Sequence, residues 1–298
     1  MEKLKSTERF QDSRSGERRP RKAAYALPTL FTAGNVFLGF LAILKAFEGC
    51  RLPWGPNPHF EAAALAIGVA FALDGLDGRI ARMTNTVSDF GREMDSLADV
   101  ITFGIAPSVL AFTWGFQFID PWPDAQTRHH LIWAAYFVSF MFLLCGAMRL
   151  ARFNVQANPV PQNPGHPDRK YFVGLPIPAA ASMIAAVVYA FGGAPLRWWP
   201  LAVAWLFLLG LLAFLMISTW RYRSFKDLNL LRPRSPVSIV LIGAVIYLIY
   251  TNSQPVLLAM ATVYVFSGVV VRIGGALKRR LRRADPSAGH PHVGAANA

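Results

Sequence analysis

Eight long apolar stretches divide the chain, near residues 27–46, 60–83, 90–116, 131–151, 173–192, 198–219, 236–251 and 255–275. Polar, Gly- and Pro-containing segments separate them. A helix needs roughly 20 apolar residues to cross a bilayer. Most of these stretches reach that length, and the seventh, with 16 residues, falls short of it. The pattern predicts an all-α polytopic membrane protein with eight spans.

Composition agrees. Of the 298 residues, 54% are hydrophobic and 16% charged, against about 25% charged in an ordinary soluble domain. Intrinsic disorder, a disulfide scaffold and a typical cytosolic enzyme are excluded. Cys50 and Cys145 are too few for a thiolate metal site, and Cys145 reads as a small buried hydrophobe.

A net charge of +13 would point to nucleic acid in a soluble protein, but its placement says otherwise. Counting from the N-terminus, alternate inter-span segments carry 8, 3, 4, 5 and 6 Lys/Arg, and those between them carry only Arg51, Arg128 and Arg197. Lys45 remains, at the end of the first span, where it can snorkel. This is the positive-inside pattern. It predicts an even number of spans, both termini cytoplasmic, an integral cell-membrane location and no nucleic-acid partner. Residues 1–26 read as a basic cytoplasmic tail and 276–298 as a second one.

The second and third stretches carry acids that a bilayer does not tolerate without a function. They read ALDGLDGRIARMTNTVSDFGREMDSLADV, with Asp74 and Asp77 at i,i+3 and Asp95 and Asp99 at i,i+4. Each pair therefore shares one helix face. The polar residues around Thr84–Asp89 suit a tight turn and a helix cap. An antiparallel hairpin folded between Thr86 and Val87 sets Asp74 opposite Asp99, Gly78 opposite Asp95 and Arg82 opposite Gly91. The carboxylates then meet roughly 15–20 Å along the helices from the turn, at 1.5 Å per residue.

Four carboxylates at one depth cannot all ionise unaided. Hard divalent cations, Mg²⁺ or Mn²⁺, would resolve the repulsion, and two such ions would clamp a diphosphate. Arg82, nearer the turn, could meet phosphate. Two other readings of the same residues stand beside this one: structural ion pairs with Arg79, Arg82 and Arg92, and a proton or cation pathway.

The stretch resembles the CDP-alcohol phosphotransferase signature, D-x-x-D-G-x-x-A-R-x8-G-x3-D-x3-D. Asp74, Asp77, Gly78, Ala81, Arg82, Gly91, Asp95 and Asp99 match every fixed position. The flanks LPTLFTAGNVFLGFLAI, SLADVITFGIAPS, GAMRLARFNV and YFVGLPIPAAAS resemble the integral-membrane, phosphatidylserine-forming branch of that family. One departure is visible, Thr29 after Pro28 where many members have Asn. Thr29 or Thr32 could supply a hydroxyl there instead.

The resemblance implies a six-helix catalytic core, here 27–220, with the loop and two spans of 221–275 added, and a homodimer. It implies two divalent metals on Asp74, Asp77, Asp95 and Asp99. It implies CDP contacts at Gly78, Ala81, Arg82 and Gly91, and Asp99 as general base. The implied reaction is transfer of the phosphatidyl group of CDP-diacylglycerol to L-serine, releasing CMP. Glycerol 3-phosphate, inositol phosphate or choline are alternative acceptors, and a cation- or proton-coupled transporter is the alternative of another class. No GxSxG or GxxxxGK[ST] pattern competes. Arg149, Arg152 and Asn154, closing the fourth span, are candidates for holding the acceptor or a lipid phosphate. Asn35, polar within the first span, is expected to hydrogen-bond a neighbouring helix.

Overall fold

The structure is a computed structural model and describes residues 22–52, 55–84, 89–157, 171–223 and 236–284. Nine helices are present among the described residues: α1 (Lys22–Gly49), α2 (Pro58–Thr84), α3 (Asp89–Asp99), α4 (Ala106–Phe116), α5 (Ala125–Ala157), α6 (Ile177–Ala190), α7 (Trp199–Ile217), α8 (Pro236–Thr251) and α9 (Ser253–Ala284). They follow the eight apolar stretches, with α3 and α4 sharing the third. Six apolar segments are long enough to span a bilayer: Leu30–Gly49, Pro58–Leu76, Phe90–Phe116, Ala125–Val155, Trp199–Ile217 and Ser253–Val270. The helices α6 and α8 are shorter, at 14 and 16 residues.

The third stretch is not one regular helix. A π-helical turn, Val100–Ile105, joins α3 to α4 directly after Asp99. Its Thr102, Phe103 and Gly104 are buried. The Thr102 hydroxyl donates to the Asn35 carbonyl of α1 at 3.0 Å. Gly39, one turn further along α1, faces the same residue, and a Cβ there would lie 2.6 Å from Thr102 Oγ1. Only glycine lets α1 come this close. The bond expected of Asn35 is thus made by its main chain, and its buried Oδ1 accepts no hydrogen bond among the described residues.

Asn57 closes the link between α1 and α2. Its Nδ2 donates to the carbonyls of Gly49 (2.8 Å) and Leu52 (2.9 Å), while its Oδ1 accepts from the His59 amide at 3.0 Å. One buried side chain thus satisfies loose ends of two helices, and Pro58 begins α2 where its missing N–H costs nothing. Beside it, Glu48 pairs with Lys45 Nζ at 2.6 Å and with His59 Nδ1 at 2.9 Å. At the start of α5, Asp124 accepts from the Thr127 amide at 2.7 Å, and that bond holds its carboxyl below the ordinary value.

The fifth stretch also begins differently from its apolar pattern. Residues Tyr171–Val173 (β1) pair antiparallel with Arg221–Arg223 (β2) in a three-residue ribbon, and α6 starts only at Ile177. Gly174 sits between them at φ 81°, its position against the Met216 and Ser218 carbonyls leaving no room for a Cβ. Pro176 follows at the helix N-cap. The ribbon, with the Gly174 amide donating to Trp220 O at 2.8 Å and Leu175 to Leu215 O at 3.0 Å, ties the start of α6 to the end of α7.

The core sits among α2, α4, α6 and α7. Trp114 of α4 meets Trp205 of α7 edge-to-face at 5.1 Å, and Trp205 Nε1 donates to the Ala111 carbonyl at 3.0 Å. Cys145 is buried as expected. Many large apolar side chains, among them Phe37, Phe137 and Phe207, remain exposed on the outside of the bundle, as a hydrocarbon solvent requires.

Candidate active site

Helices α2 and α3 bring the signature acids together. Single oxygens of Asp74, Asp95 and Asp99 lie within 4.8 Å of one another. Helical spacing explains why. Asp95 and Asp99 stack one turn apart on α3, and Asp74 approaches from the antiparallel α2. Asp74 and Asp95 are half-buried and Asp99 is buried. Asp77, Gly78, Ala81 and Arg82 continue α2 toward Thr84, but their side chains lie outside the described residues. Gly91 is half-buried on the first turn of α3.

From α5, Arg149 comes near this cluster. It is buried, it interacts electrostatically with Asp99, and its Nε has no hydrogen-bond partner among the described residues. Arg152, one turn on, is half-buried and close enough to Arg149 to repel it. Asn154 does something else. Its Nδ2 donates to Ser96 Oγ on α3 at 2.8 Å, and Ser96 Oγ in turn donates to the Arg92 carbonyl at 3.0 Å. Asn154 therefore clamps α5 to the turn of α3 that carries Asp95 and Asp99.

The donors here are all carboxylate oxygens, the set preferred by hard divalent cations. Asp99 Oδ1 is buried and takes no hydrogen bond among the described residues. Buried carboxylate oxygens are ordinarily satisfied, so an oxygen left open beside two more acids fits a cation.

The family model for CDP-alcohol phosphatidyltransferase matches residues 25–210, well over half of the chain. The chain belongs to this family. The CDP-diacylglycerol–serine O-phosphatidyltransferase of Helicobacter pylori strain 26695 is 37% identical over 211 residues, covering 70% of this chain and 77% of the relative. The enzyme of the same name from Bacillus subtilis is 30% identical, covering 67% of this chain and 91% of the relative. The archaetidylserine synthase of Methanothermobacter thermautotrophicus is 35% identical, covering 54% and 57% respectively.

The CDP-alcohol phosphatidyltransferase family uses divalent metals, and the three clustered acids fit that requirement. The match ends within α7, so α8 and α9 lie beyond it. Yet α9 comes close to the site. Tyr264 is half-buried and lies within electrostatic reach of Arg149. The sequence reading missed Tyr264 because one tyrosine in an apolar stretch carries no local signal. It missed the clamping role of Asn154 because the partner, Ser96, is 58 residues away.

Proposed function

We propose that this membrane protein transfers the phosphatidyl group of CDP-diacylglycerol to L-serine, giving phosphatidylserine and CMP. The observation that carries the reading is the convergence of Asp74, Asp95 and Asp99 within 4.8 Å, with Arg149 alongside. Relatives that bear the name of this activity, at 30–37% identity over about two thirds of the chain, support serine as the acceptor.

Asp74, Asp77, Asp95 and Asp99 are the ligands for two divalent ions, Mg²⁺ or Mn²⁺. When bound, such ions neutralise the diphosphate and the departing CMP. Gly78, Ala81, Arg82 and Gly91 hold the nucleotide, the glycines by close approach and Arg82 by charge. Arg149 takes the serine carboxylate or the lipid phosphate, for which its open Nε is available. Asp99 accepts the proton of the serine hydroxyl. The hydroxyl oxygen then bonds to the phosphatidyl phosphorus, the bond from that phosphorus to the CMP oxygen breaks, and CMP leaves with the electron pair.

The donor accounts for the setting: its chains belong in hydrocarbon and its nucleotide in water. The Lys/Arg distribution supports a cytoplasmic nucleotide side with both termini there. The working unit is a homodimer of 27–220 cores, each with the appended 221–275 segment.

The test is CMP release from CDP-diacylglycerol by the purified protein in detergent with Mn²⁺ or Mg²⁺. Release with L-serine, and not with glycerol 3-phosphate, inositol phosphate or choline, is expected. Release with another acceptor keeps the chemistry and removes serine. No metal-dependent release with any acceptor, from folded protein, removes the reading altogether.

A further inference from the structure

A groove of about 370 Å³ runs beside the carboxylate cluster between α2, α6 and α9. Asp74 lines one end of it. From Asp74 back to Ala64 the α2 wall covers ten residues, about 15 Å at helical rise. At the other end stands Tyr189 of α6, whose hydroxyl is 2.8 Å from Ser253 Oγ at the start of α9. Apart from Asp74, Ser182 and the two tyrosines, the lining is apolar.

The α9 wall is one helix face. Leu257, Met260, Ala261 and Tyr264 line the groove at i, i+3, i+4 and i+7. This face lies outside the residues matched by the family model. The α2 wall leaves room deliberately at Gly68, where an added Cβ would meet nothing within 4 Å. Leu65, Phe71 and Met260 are 43–50% exposed, so the groove opens sideways toward the surrounding hydrocarbon. The neighbouring outward residue of α9, Val263, points away and is 70% exposed.

We infer that an acyl chain of the lipid donor lies in this groove, and that the added helix α9 forms the wall that selects among donor chains. The inference rests on the proposed use of a CDP-linked lipid. The groove is apolar, opens to the bilayer, and is continuous with the carboxylate cluster that would face the donor's phosphates. A chain held there brings the diphosphate to Asp74 from inside the membrane. Tyr264, lining the groove and within electrostatic reach of Arg149, stands where the chain meets the headgroup. Bound and bulk lipid environments are both hydrocarbon, so shape rather than burial discriminates.

The experiment compares CMP release from long-chain and short-chain CDP-diacylglycerol by the full-length protein and by A261F, G68L and V263F. With A261F and G68L, the preference for the long-chain donor in kcat/KM should fall about tenfold or more, the scale on which a filled pocket discriminates. With V263F it should stay at the parental ratio. Unchanged ratios in folded A261F and G68L overturn the inference. The unaltered protein gives a second readout that needs no variant. A donor with a diazirine in its acyl chain should label residues 257–264, and excess unlabelled donor should remove that label. Label that excess donor leaves in place assigns the groove to bulk lipid. Absence of label on α9, with the same segment instead crosslinking between copies, assigns it to a second chain. Either result overturns the inference. If the parent protein releases no CMP from any donor, the proposed reaction has failed rather than the groove.

Discussion

Asn154 on α5 donates a hydrogen bond of 2.8 Å to Ser96 on α3, on the turn between Asp95 and Asp99. The bond spans two helices that the sequence separates by a loop, a π-helical turn and α4. It holds the α3 face in register with Arg149, five residues before Asn154. Because misplacement of reacting groups by about 1 Å can cost about a hundredfold in rate, a clamp here has catalytic consequences without touching substrate. N154A should lower kcat about tenfold while leaving the donor KM near its parental value. A matched loss in folded fraction, read by size-exclusion chromatography, would reduce Asn154 to a stability role.

Asp99 is the most buried acid of the cluster and the expected base. D99N keeps its size and removes its charge. Turnover should fall by at least about a thousandfold, since a positioned base alone is worth about 10²–10⁴. The protein should remain folded. Turnover near the parental rate would remove Asp99 from the base role.

The metal requirement is tested separately. Chelation should abolish CMP release, and added Mn²⁺ or Mg²⁺ should restore it. In D95N the cation concentration for half-maximal activity should rise at least about tenfold, a shift that even the loss of a residue hydrogen-bonded to a ligand produces. An unaltered cation dependence in D95N would exclude Asp95 as a ligand.

Arg149 makes a sharper claim about the acceptor. Losing charged hydrogen bonds costs about 1.5–3 kcal/mol each, so R149A should raise the serine KM about tenfold or more. R149K should not rescue it, because an ammonium lacks the planar fork of the guanidinium. A rise confined to the donor KM would instead put Arg149 on the lipid phosphate.

Asn57 carries a stability prediction remote from the chemistry. Its amide bonds two carbonyls of the α1 end and caps α2 while fully buried. N57A leaves those groups unpaired and should cost about 1–3 kcal/mol, seen as a lower unfolding temperature. Turnover per folded molecule should be unchanged.

Which of these features the chain announces in advance depends on the range of the physics involved. The spacing of Asp74, Asp95 and Asp99 was readable because helix periodicity is local, and a short antiparallel hairpin has one register. Asp74 and Asp99 were expected opposite each other and do meet. The helices themselves follow from apolar length. The Asn57–Pro58 pair was also a local signal for a capped helix start, and it went unread. The π turn after Asp99 was not readable. Its residues are as apolar as those of a regular span, and it forms where Thr102 meets Asn35 and Gly39 of α1. The same holds for the ribbon before α6, where Gly174 takes φ 81° with the Met216 and Ser218 carbonyls packed where a Cβ would be.

By itself, then, the sequence determined the all-α apolar character of the chain, the charge asymmetry of the connecting segments and the clustering of acids on a hairpin. Each depends on residues a few positions apart or on transfer between water and hydrocarbon. The count of eight spans met nine helices and six segments long enough to cross a bilayer among the described residues. Tertiary structure alone decided that Asn154 grips Ser96, that Arg149 is buried within electrostatic reach of Asp99, and that Leu257, Met260, Ala261 and Tyr264 line a groove ending at Asp74. In a bilayer the lipid-facing and helix-facing sides of a span are nearly equally apolar. The hydrophobic pattern that orients a soluble helix is therefore silent, and close packing and hydrogen bonds between distant segments choose the partners.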